Sequence, residues 1–442
     1  MRARLFGTDG IRGRAFEPPL DEDTVRRLGA AVAEALSTDG GNHVLLAGDT
    51  RASTEVLARW FSGAFLAGGG RITWGGVLPT PAVSQLVRRG PFDAGVVISA
   101  SHNPAHDNGI KILRRSGEKL PDASEQRLEQ RLAAVRPQPG DRLPEIDRSL
   151  AETYLRLIQD SLEEPSPLNS MKIVVDAANG AASGIAEELM RRLGAEVVAI
   201  ASEPDGSNIN DGCGATAPER LARSVPAVGA DAGVALDGDA DRCILVDKNG
   251  AILDGDDILL AWARQLLADG RLEGPQVVAT VMSNYGLERA LVHDGIGLVR
   301  CQVGDRWVWQ AMTETGAALG GEQSGHVICS HYGVSGDGLL TASHLLAVAA
   351  RRNIAVSELS DLRRLPQVLL NVPVHSKPPL GDLISVRSGL EETEHRLAGR
   401  GRVLLRYSGT EPLARVMIEG DDATEIQSLA EQLADAIRRE IG

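Results

Sequence analysis

Apolar and polar positions follow one recurring pattern along most of this chain. In three places an apolar, β-rich run is followed by small and polar residues and then by apolar residues at helical spacing: residues 43–61, 171–194 and 275–291. Each pattern predicts a strand, a turn and a helix, which together open a βαβ unit. The three patterns lie too far apart for a solenoid. They therefore predict three successive α/β domains.

The pattern changes after residue 366. Strands are predicted around residues 368–374, 401–408 and 414–420, followed by a closing helix with Ile426, Leu429, Leu433 and Ile437 on one face and with Asp422 and Thr424 as candidate caps. This mixture predicts a smaller α+β domain. Breaks rich in proline or charge occur at 136–145, 163–170, 247–257 and 362–367. We therefore place four domains at residues 1–150, 151–252, 253–366 and 367–442.

Composition narrows the class of protein. A chain of 442 residues exceeds what one hydrophobic core usually supports. A net charge of −14 with 3% aromatic residues disfavours a nucleic-acid partner, which requires basic surface and stacking rings. No apolar run is long enough to span a bilayer and the opening residues lack a signal-peptide pattern, so we expect no membrane partner and a cytoplasmic location. The four cysteines form no CxxC pair, which predicts reduced thiols.

The stretch DGDADR, residues 237–242, directly follows an apolar strand pattern. Asp237, Asp239 and Asp241 alternate along it, so their carboxylates can face one point, where a hard divalent cation such as Mg2+ relieves their repulsion. An EF-hand does not fit, because Arg242 and Lys248 occupy the positions where it needs glycine and glutamate. Two alternatives stay open: a solvated acidic turn, and an aspartyl phosphatase in which Asp237 is the nucleophile.

The stretch SASHNP, residues 99–104, places a serine where a buried strand should end. Ser101 lacks the flanking glycines of a GxSxG elbow, and its neighbour His102 would normally point elsewhere, so a hydrolase triad is not supported. A helix-capping serine and a functional site are equally compatible with this stretch alone. Lys111 favours the functional site, because a lysine ten residues on can act there as an acid, a base or a phosphate clamp.

Two further stretches suggest ligand contacts. RYSGTEPLAR suggests a phosphate cradle of guanidinium, hydroxyl and backbone amide groups, formed by Arg406, Ser408, Gly409, Thr410 and Arg415. GGEQSGH offers Glu322 and Ser324 to sugar hydroxyls, together with the titratable imidazole of His326. Ordinary turns and loops remain alternatives for both stretches. Arg12 in GTDGIRG and Arg306 in VGDRW are candidates for additional anion contacts.

Taken in order, GTDGIRG, SASHNP, DGDADR, GEQSGH and RYSGTEP resemble the motifs of the α-D-phosphohexomutase superfamily along essentially the whole chain. The resemblance implies three related α/β domains with mixed sheets and a C-terminal α+β domain, around a central cleft. It implies that Ser101 is a phosphoserine and shares a metal ion with the three aspartates. It assigns Arg242 to catalysis, Lys111 and His326 to proton exchange, Glu322 and Ser324 to the sugar, and the RYSGTEP stretch with Arg415 to the substrate phosphate. Arg12, His102 and Arg306 would support the site.

Within this superfamily the chain most resembles the phosphoglucosamine mutases, through Gln323 and the stretches at 208–216 and 281–288. Gly48 and Tyr407 depart from the family pattern. This resemblance implies interconversion of glucosamine 6-phosphate and 1-phosphate through a 1,6-bisphosphate, with Mg2+ and a sugar bisphosphate as activator, for the synthesis of amino-sugar nucleotides and cell-wall precursors. A phosphomannomutase/phosphoglucomutase, an aspartyl-type sugar phosphatase and a non-catalytic sugar-phosphate sensor are the alternatives. We expect the last domain to rotate on a hinge near residues 364–370, and a homodimer is left open.

Overall fold

The computed structural model describes residues 5–7, 9–137, 140–274, 276–408 and 411–442. A five-stranded sheet of order β1-β5-β4-β2-β3 occupies the amino-terminal part. Its elements are β1 (Ile11–Arg14), α1 (Glu22–Thr38), β2 (His43–Gly48), α2 (Thr54–Ala67), β3 (Arg71–Val77), α3 (Thr80–Arg89), β4 (Ala94–Ile98), β5 (Asp107–Arg114), α4 (Asp122–Ala134) and α5 (Ser149–Asp160). Strands β2 and β4 are buried at every position, as expected of parallel strands covered on both faces.

A second five-stranded sheet, of order β10-β9-β8-β6-β7, follows. It contains β6 (Lys172–Asp176), α6 (Ala186–Arg192), β7 (Glu196–Ile200), α7 (Glu219–Ala227), β8 (Ala232–Leu236), β9 (Cys243–Asp247) and β10 (Ile252–Leu253). A four-stranded sheet of order β12-β11-β13-β14 comes next. Its elements are α8 (Gly255–Ala268), β11 (Gln276–Thr280), α9 (Tyr285–His293), β12 (Gly297–Cys301), α10 (Asp305–Thr315), β13 (Leu319–Gly321), β14 (Val327–Cys329) and α11 (Gly338–Arg352).

These three sheets repeat one topology. In each sheet the first strand of the repeat (β2, β6 or β11) lies between the second strand (β3, β7 or β12) and the third strand (β4, β8 or β13), which runs parallel to it. The fourth strand (β5, β9 or β14) runs antiparallel beside the third. The loops that join the third strand to the fourth are residues 99–106, 237–242 and 322–326. Ligands of α/β sheets bind at the carboxyl ends of parallel strands. The repeated topology therefore puts SASHNP, DGDADR and EQSGH at equivalent, ligand-facing positions.

The described chain divides into two compact units: residues up to 280 together with 299–361, and residues 281–298 together with 362–442. The second unit has a three-stranded antiparallel sheet of order β15-β17-β16. It contains β15 (Gln367–Pro373), α12 (Ile384–Leu397), β16 (Gly401–Tyr407), β17 (Leu413–Gly420) and α13 (Ala423–Ile441), with a short 3-10 helix at Leu380–Asp382; another, Val356–Leu359, lies in the first unit. As predicted, Asp422 caps α13, by accepting the Thr424 and Glu425 N–H groups.

The predicted class, three related α/β domains with mixed sheets and an α+β domain, is confirmed. One assignment emerges only from the structure: residues 281–298, sequentially within the third α/β repeat, belong to the second unit. The reason is Glu419, a buried carboxylate on β17 that accepts hydrogen bonds from Asn284 Nδ2 at 3.2 Å, Tyr285 N at 3.0 Å and Arg402 Nε at 2.5 Å. In the part of the chain that the structure describes, no helix combines the length and apolar character of a membrane span.

Candidate active site

Three aspartates turn inward where β8 ends. Asp237, Asp239 and Asp241 are all buried, and one carboxylate oxygen of each lies within 4.8 Å of the others. Ala240 between them has a left-handed φ of 58°, and its N–H donates to the Asp237 carbonyl at 3.0 Å. That tight turn aims alternate side chains at one point. Such deep burial does not fit a solvated acidic turn, because a buried carboxylate needs a compensating partner.

The cluster has the electrostatics of a cation site. Burial and the neighbouring charges of Asp241 and Asp239 raise the pKa of Asp237 to about 8. Burial also raises the pKa of Asp239, but the Lys111 ammonium outweighs it and holds that pKa well below its usual range. Among the described residues, Asp239 Oδ1 and Asp241 Oδ1 accept no hydrogen bond although both are buried. Crowded carboxylates with uncommitted oxygens fit a hard divalent cation.

Ser101 lies directly against this cluster, although 136 residues separate it from Asp237. Its hydroxyl donates to Asp237 Oδ2 at 2.6 Å, and its backbone N–H donates to Ser99 Oγ at 3.0 Å. The residue is buried and has a left-handed φ of 52°. It sits in a turn before β5, and no helix of the described chain begins there. The structure therefore brings Ser101 to the carboxylates and does not support the helix-capping alternative.

The Ser101 turn is held by residues that sequence reasoning did not single out. Arg51 Nη2 donates to the carbonyls of Ser101 at 3.2 Å and of Asn103 at 2.5 Å, while its other terminal nitrogen pairs with buried Asp49. Asn210 Nδ2 donates to the same two carbonyls, at 2.9 and 3.1 Å. The available signals were the polar AGDTR stretch after β2, which holds Asp49 and Arg51, and the NINDGCGAT stretch, which holds Asn210.

Lys111 reaches the same cluster from β5. Its buried Nζ lies 2.8 Å from Asp239 Oδ2, 3.0 Å from Asp9 Oδ2 and 3.9 Å from Asp241 Oδ2. Burial lowers the pKa of Lys111, but these carboxylates outweigh it and raise the pKa well above its usual value. Lys111 is therefore a fixed ammonium at neutral pH, which suits an acid or a charge clamp better than a base.

Asp9 lies among several cations and was also missed. Besides Lys111, its carboxylate pairs with Arg12 and with Lys119, and Lys119 pairs in turn with Asp305. Burial raises the pKa of Asp9, yet these cations hold it well below its usual range. The signal was in GTDGIRG, in which only Arg12 had been singled out. Arg12 also donates from Nη1 to Asn103 Oδ1 at 3.1 Å, so it reaches the Ser101 turn.

Arg242 and His326 flank the aspartates. Arg242 donates its backbone N–H to Asp237 Oδ1 at 3.2 Å, and its Nε lies 4.0 Å from both Asp237 and Asp241. His326 Nδ1 lies 3.5 Å from Asp241 Oδ1, and its Nε2 accepts the Gly336 N–H at 3.1 Å. Burial lowers the pKa of His326, but neighbouring carboxylates raise it to about 9. The hydrogen bond from Gly336 N–H to Nε2 opposes this upward pKa shift, because a protonated Nε2 cannot accept a hydrogen bond. This hydrogen bond therefore favours a neutral ring that carries its proton on Nδ1.

One cavity of about 390 Å3 is lined by most of the predicted site residues of the first unit. The predicted site residues that line it are Arg12, Ser101, His102, Asp241, Arg242, Glu322 and His326. Burial, together with Arg242 and Arg12, lowers the pKa of His102 to about 4, so this imidazole is neutral. Glu322 accepts the Gly304 N–H at 2.9 Å and lies 3.4 Å from the Ser324 hydroxyl.

Arg306 is not brought to this cavity. Its guanidinium pairs with Asp122 and with Glu125, the latter at 2.5 Å. Because Arg306 is not among the residues that line this cavity, the structure does not support the predicted anion contact there.

The described residues of the predicted phosphate cradle, Arg406, Ser408 and Arg415, lie in the second unit. Arg406 on β16 lies directly opposite Arg415 on β17. Like charges facing each other across a strand pair are unfavourable unless an anion joins them. The carbonyl of Ser408 accepts Lys377 Nζ at 2.6 Å, and Arg415 Nη2 donates to Glu411 at 3.0 Å. Gly409 and Thr410, which complete the predicted cradle, lie outside the described residues.

Family models for all four domains match the chain. The α/β/α domains I, II and III of phosphoglucomutase/phosphomannomutase match residues 3–138, 152–250 and 254–365, and the C-terminal domain matches 353–436. The chain belongs to the phosphoglucomutase/phosphomannomutase family. The predicted superfamily is thereby confirmed, and the protein is an enzyme of the phosphohexomutase type.

Relatives of this phosphohexomutase agree over their full length. It is 45% identical to a phosphoglucosamine mutase of Solibacter usitatus over all of both chains, and 46% identical to one of Symbiobacterium thermophilum over 99% of each. Among solved structures, a family member from Burkholderia thailandensis gives a TM-score of 0.80 at 26% identity, covering 99% and 98% of the two chains. An Aspergillus fumigatus N-acetylphosphoglucosamine mutase, solved with GlcNAc-6P and magnesium, gives 0.63 at 19% identity over 98% and 95%, a likeness of fold.

Proposed function

We propose that this phosphohexomutase interconverts glucosamine 6-phosphate and glucosamine 1-phosphate through a phosphorylated Ser101 and a glucosamine 1,6-bisphosphate. The single observation that carries the proposal is the 2.6 Å contact between the Ser101 hydroxyl and Asp237 in a cluster suited to a cation. Full-length relatives named phosphoglucosamine mutase support the choice of an amino sugar. The product is of the kind used for amino-sugar nucleotides and cell-wall precursors.

The proposed metal is Mg2+, held by Asp237, Asp239, Asp241 and an oxygen of the phosphoryl group on Ser101. When bound, it would neutralise charge on the phosphoryl group that is transferred. The uncommitted oxygens of Asp239 and Asp241 are the observation in favour of this ligand set.

The chain's own residues supply position and charge. In the forward half-reaction the sugar hydroxyl attacks phosphorus, the bond between phosphorus and Ser101 Oγ breaks, Lys111 protonates Oγ, and Lys111 then takes up the proton released by the sugar hydroxyl. Arg242 and Arg12 line the cavity and neutralise the phosphoryl oxygens. Lys111, held as an ammonium, donates a proton to the oxygen that loses its phosphoryl group. His326 can exchange a proton only through Nδ1, since Nε2 accepts the Gly336 N–H.

Glu322 and Ser324 bind sugar hydroxyls in this proposal, with His102 beside the reacting serine. Arg406, Ser408, Gly409, Thr410 and Arg415 bind the phosphate that does not react. Because one serine serves both ends of the sugar, the bisphosphate must turn round between the half-reactions, and an added sugar bisphosphate acts as activator. The second unit would then rotate on a hinge near residues 364–370, close to the division between units at residue 362. We propose a cytoplasmic location, where sugar phosphates are made.

The aspartyl phosphatase alternative predicts nucleophilic attack by Asp237. That carboxyl is buried, its pKa is raised to about 8, and both of its oxygens accept hydrogen bonds, from Ser101 Oγ and Arg242 N. A carboxyl so engaged is a poor nucleophile. The Ser101 hydroxyl is the donor in its contact with Asp237, so its oxygen keeps a lone pair for phosphorus while the carboxylate accepts its proton, and the geometry favours the mutase.

Steady-state kinetics on glucosamine, glucose and mannose 6-phosphates, with a trace of the matching bisphosphate, test the proposal. The highest kcat/KM is expected for glucosamine 6-phosphate. A preference for mannose or glucose would instead favour the phosphomannomutase/phosphoglucomutase alternative. Net release of inorganic phosphate would favour the phosphatase, and binding without turnover would favour a sensor.

A further inference from the structure

Lys111 occupies a position that competes with a metal ion. Its buried ammonium lies 2.8 Å from Asp239 and 3.9 Å from Asp241, two of the three carboxylates of the proposed cation site. A fixed positive charge there repels a divalent cation and attracts the oxygens that should bind it. If these aspartates were its sole partners, the ammonium would settle on them. For the metal to bind well, some other group must therefore share the ammonium, so that Lys111 engages one oxygen of Asp239 and leaves Asp239 Oδ1 and Asp241 Oδ1 uncommitted.

The group placed to do this is Asp9. Its Oδ2 lies 3.0 Å from Lys111 Nζ. The Lys111 ammonium is thus held between Asp9 and Asp239 at nearly equal distances. We propose that Asp9 is a positioning residue of the metal site: it shares the Lys111 ammonium with Asp239 Oδ2, so that Asp239 Oδ1 and Asp241 Oδ1 stay uncommitted, and it offsets the charge of Lys111.

Asp9 can hold this place because its own position is fixed. Arg12 and Lys119 pair with the same carboxylate, and Lys119 is anchored by Asp305 at the start of α10. Two of the five lysines in the chain, Lys111 and Lys119, therefore converge on Asp9. Removing its charge leaves Lys111 with the metal-binding aspartates alone, whereas removing the charge of Asp305 leaves all three Lys111 contacts in place.

The test is the dissociation constant of Mg2+, measured by titration calorimetry on the full chain without sugar. The inference rests on the proposed function, so the wild-type protein is measured first: failure to bind Mg2+ there would refute the proposed metal site itself. Given wild-type binding, Asp9→Asn is expected to weaken the affinity about 10- to 100-fold, the range for groups that position metal ligands. Asp305→Asn, a matched loss of one carboxylate on Lys119, should have a much smaller effect.

A double variant separates positioning from a general loss of structure. In Asp9→Asn/Lys111→Met the competing ammonium is gone, so Mg2+ affinity should return to within a few-fold of wild type. A merely structural role for Asp9 predicts no such recovery. Circular dichroism confirms that each variant is folded. Wild-type affinity in Asp9→Asn, an equal loss in Asp305→Asn, or no recovery in the double variant would each overturn the inference.

Discussion

Ser101 combines two features that can be separated by substitution: a hydroxyl on Asp237 and a left-handed backbone with φ of 52°. The left-handed conformation costs a residue with a Cβ atom about 1–2 kcal/mol. Glycine adopts it without that cost, but loses about 0.5–1 kcal/mol through the greater freedom of the unfolded chain. Ser101→Ala and Ser101→Gly both remove the hydroxyl, so their difference isolates the Cβ atom. Taking the midpoints of these two ranges, Ser101→Gly should be more stable than Ser101→Ala by roughly 0.75 kcal/mol.

Urea denaturation followed by circular dichroism measures this difference in stability. It is calculated from the shift in the urea concentration at the midpoint of unfolding, provided that both variants show the same dependence of the unfolding free energy on urea. Both variants should lose turnover by several orders of magnitude, because each lacks the oxygen that carries the phosphoryl group. Equal stability, or a more stable Ser101→Ala, would refute the view that the turn is strained to aim Oγ at Asp237. Nearly normal mutase rates in either variant would remove Ser101 from the mechanism.

Three other predictions address the charged groups. Lys111→Met should lower the free energy of unfolding by about 3–5 kcal/mol, because it strands buried Asp239, and adding Asp239→Asn should recover part of that loss in urea denaturation. Mg2+ at 100 times its Kd should stabilise the wild type against thermal unfolding by about 2.7 kcal/mol. Asp241→Asn should lose most of this stabilisation. An equal stabilisation of Asp241→Asn would contradict the assignment of Asp241 as a metal ligand. Arg415→Gln should raise KM for the sugar phosphate without loss of stability. Its control, Arg402→Gln in the same sheet, should destabilise the protein because it breaks the ion pair with buried Glu419. A loss of stability in Arg415→Gln would count against the phosphate cradle.

Local patterns predicted the fold and the loops that carry chemistry. Strand and helix periodicities located the three repeats. The motifs SASHNP, DGDADR and EQSGH fall in the loops between each third and fourth strand, at the carboxyl ends of parallel strands where ligands of α/β sheets bind. Burial of the three aspartates followed from their place after an apolar strand. The contact of Ser101 with Asp237 required pairing of two loops from different domains, which the resemblance implied and local pattern did not.

The sequence alone did not reveal which side chains contact each other when they lie far apart along the chain. Asp9 and Lys119 are 110 residues apart, and Arg51 reaches Ser101 across 50. Such long-range contacts leave no periodic signal, so the charged residues that make them resemble ordinary surface charges in the sequence. Arg306 shows the converse, since its place two residues after a glycine in VGDRW suggested an anion contact, whereas its guanidinium pairs with Asp122 and Glu125.

The most direct test of the central claim is the site of covalent phosphate after incubation with a bisphosphate. The purified protein is exposed to 32P-labelled glucose or glucosamine 1,6-bisphosphate with Mg2+, quenched, and analysed by peptide mass spectrometry and by stability of the label in acid and alkali. The account predicts an acid-stable phosphate on Ser101 that glucosamine 6-phosphate removes and that Ser101→Ala abolishes. An alkali-labile acyl phosphate on Asp237, or label retained in Ser101→Ala, would contradict it.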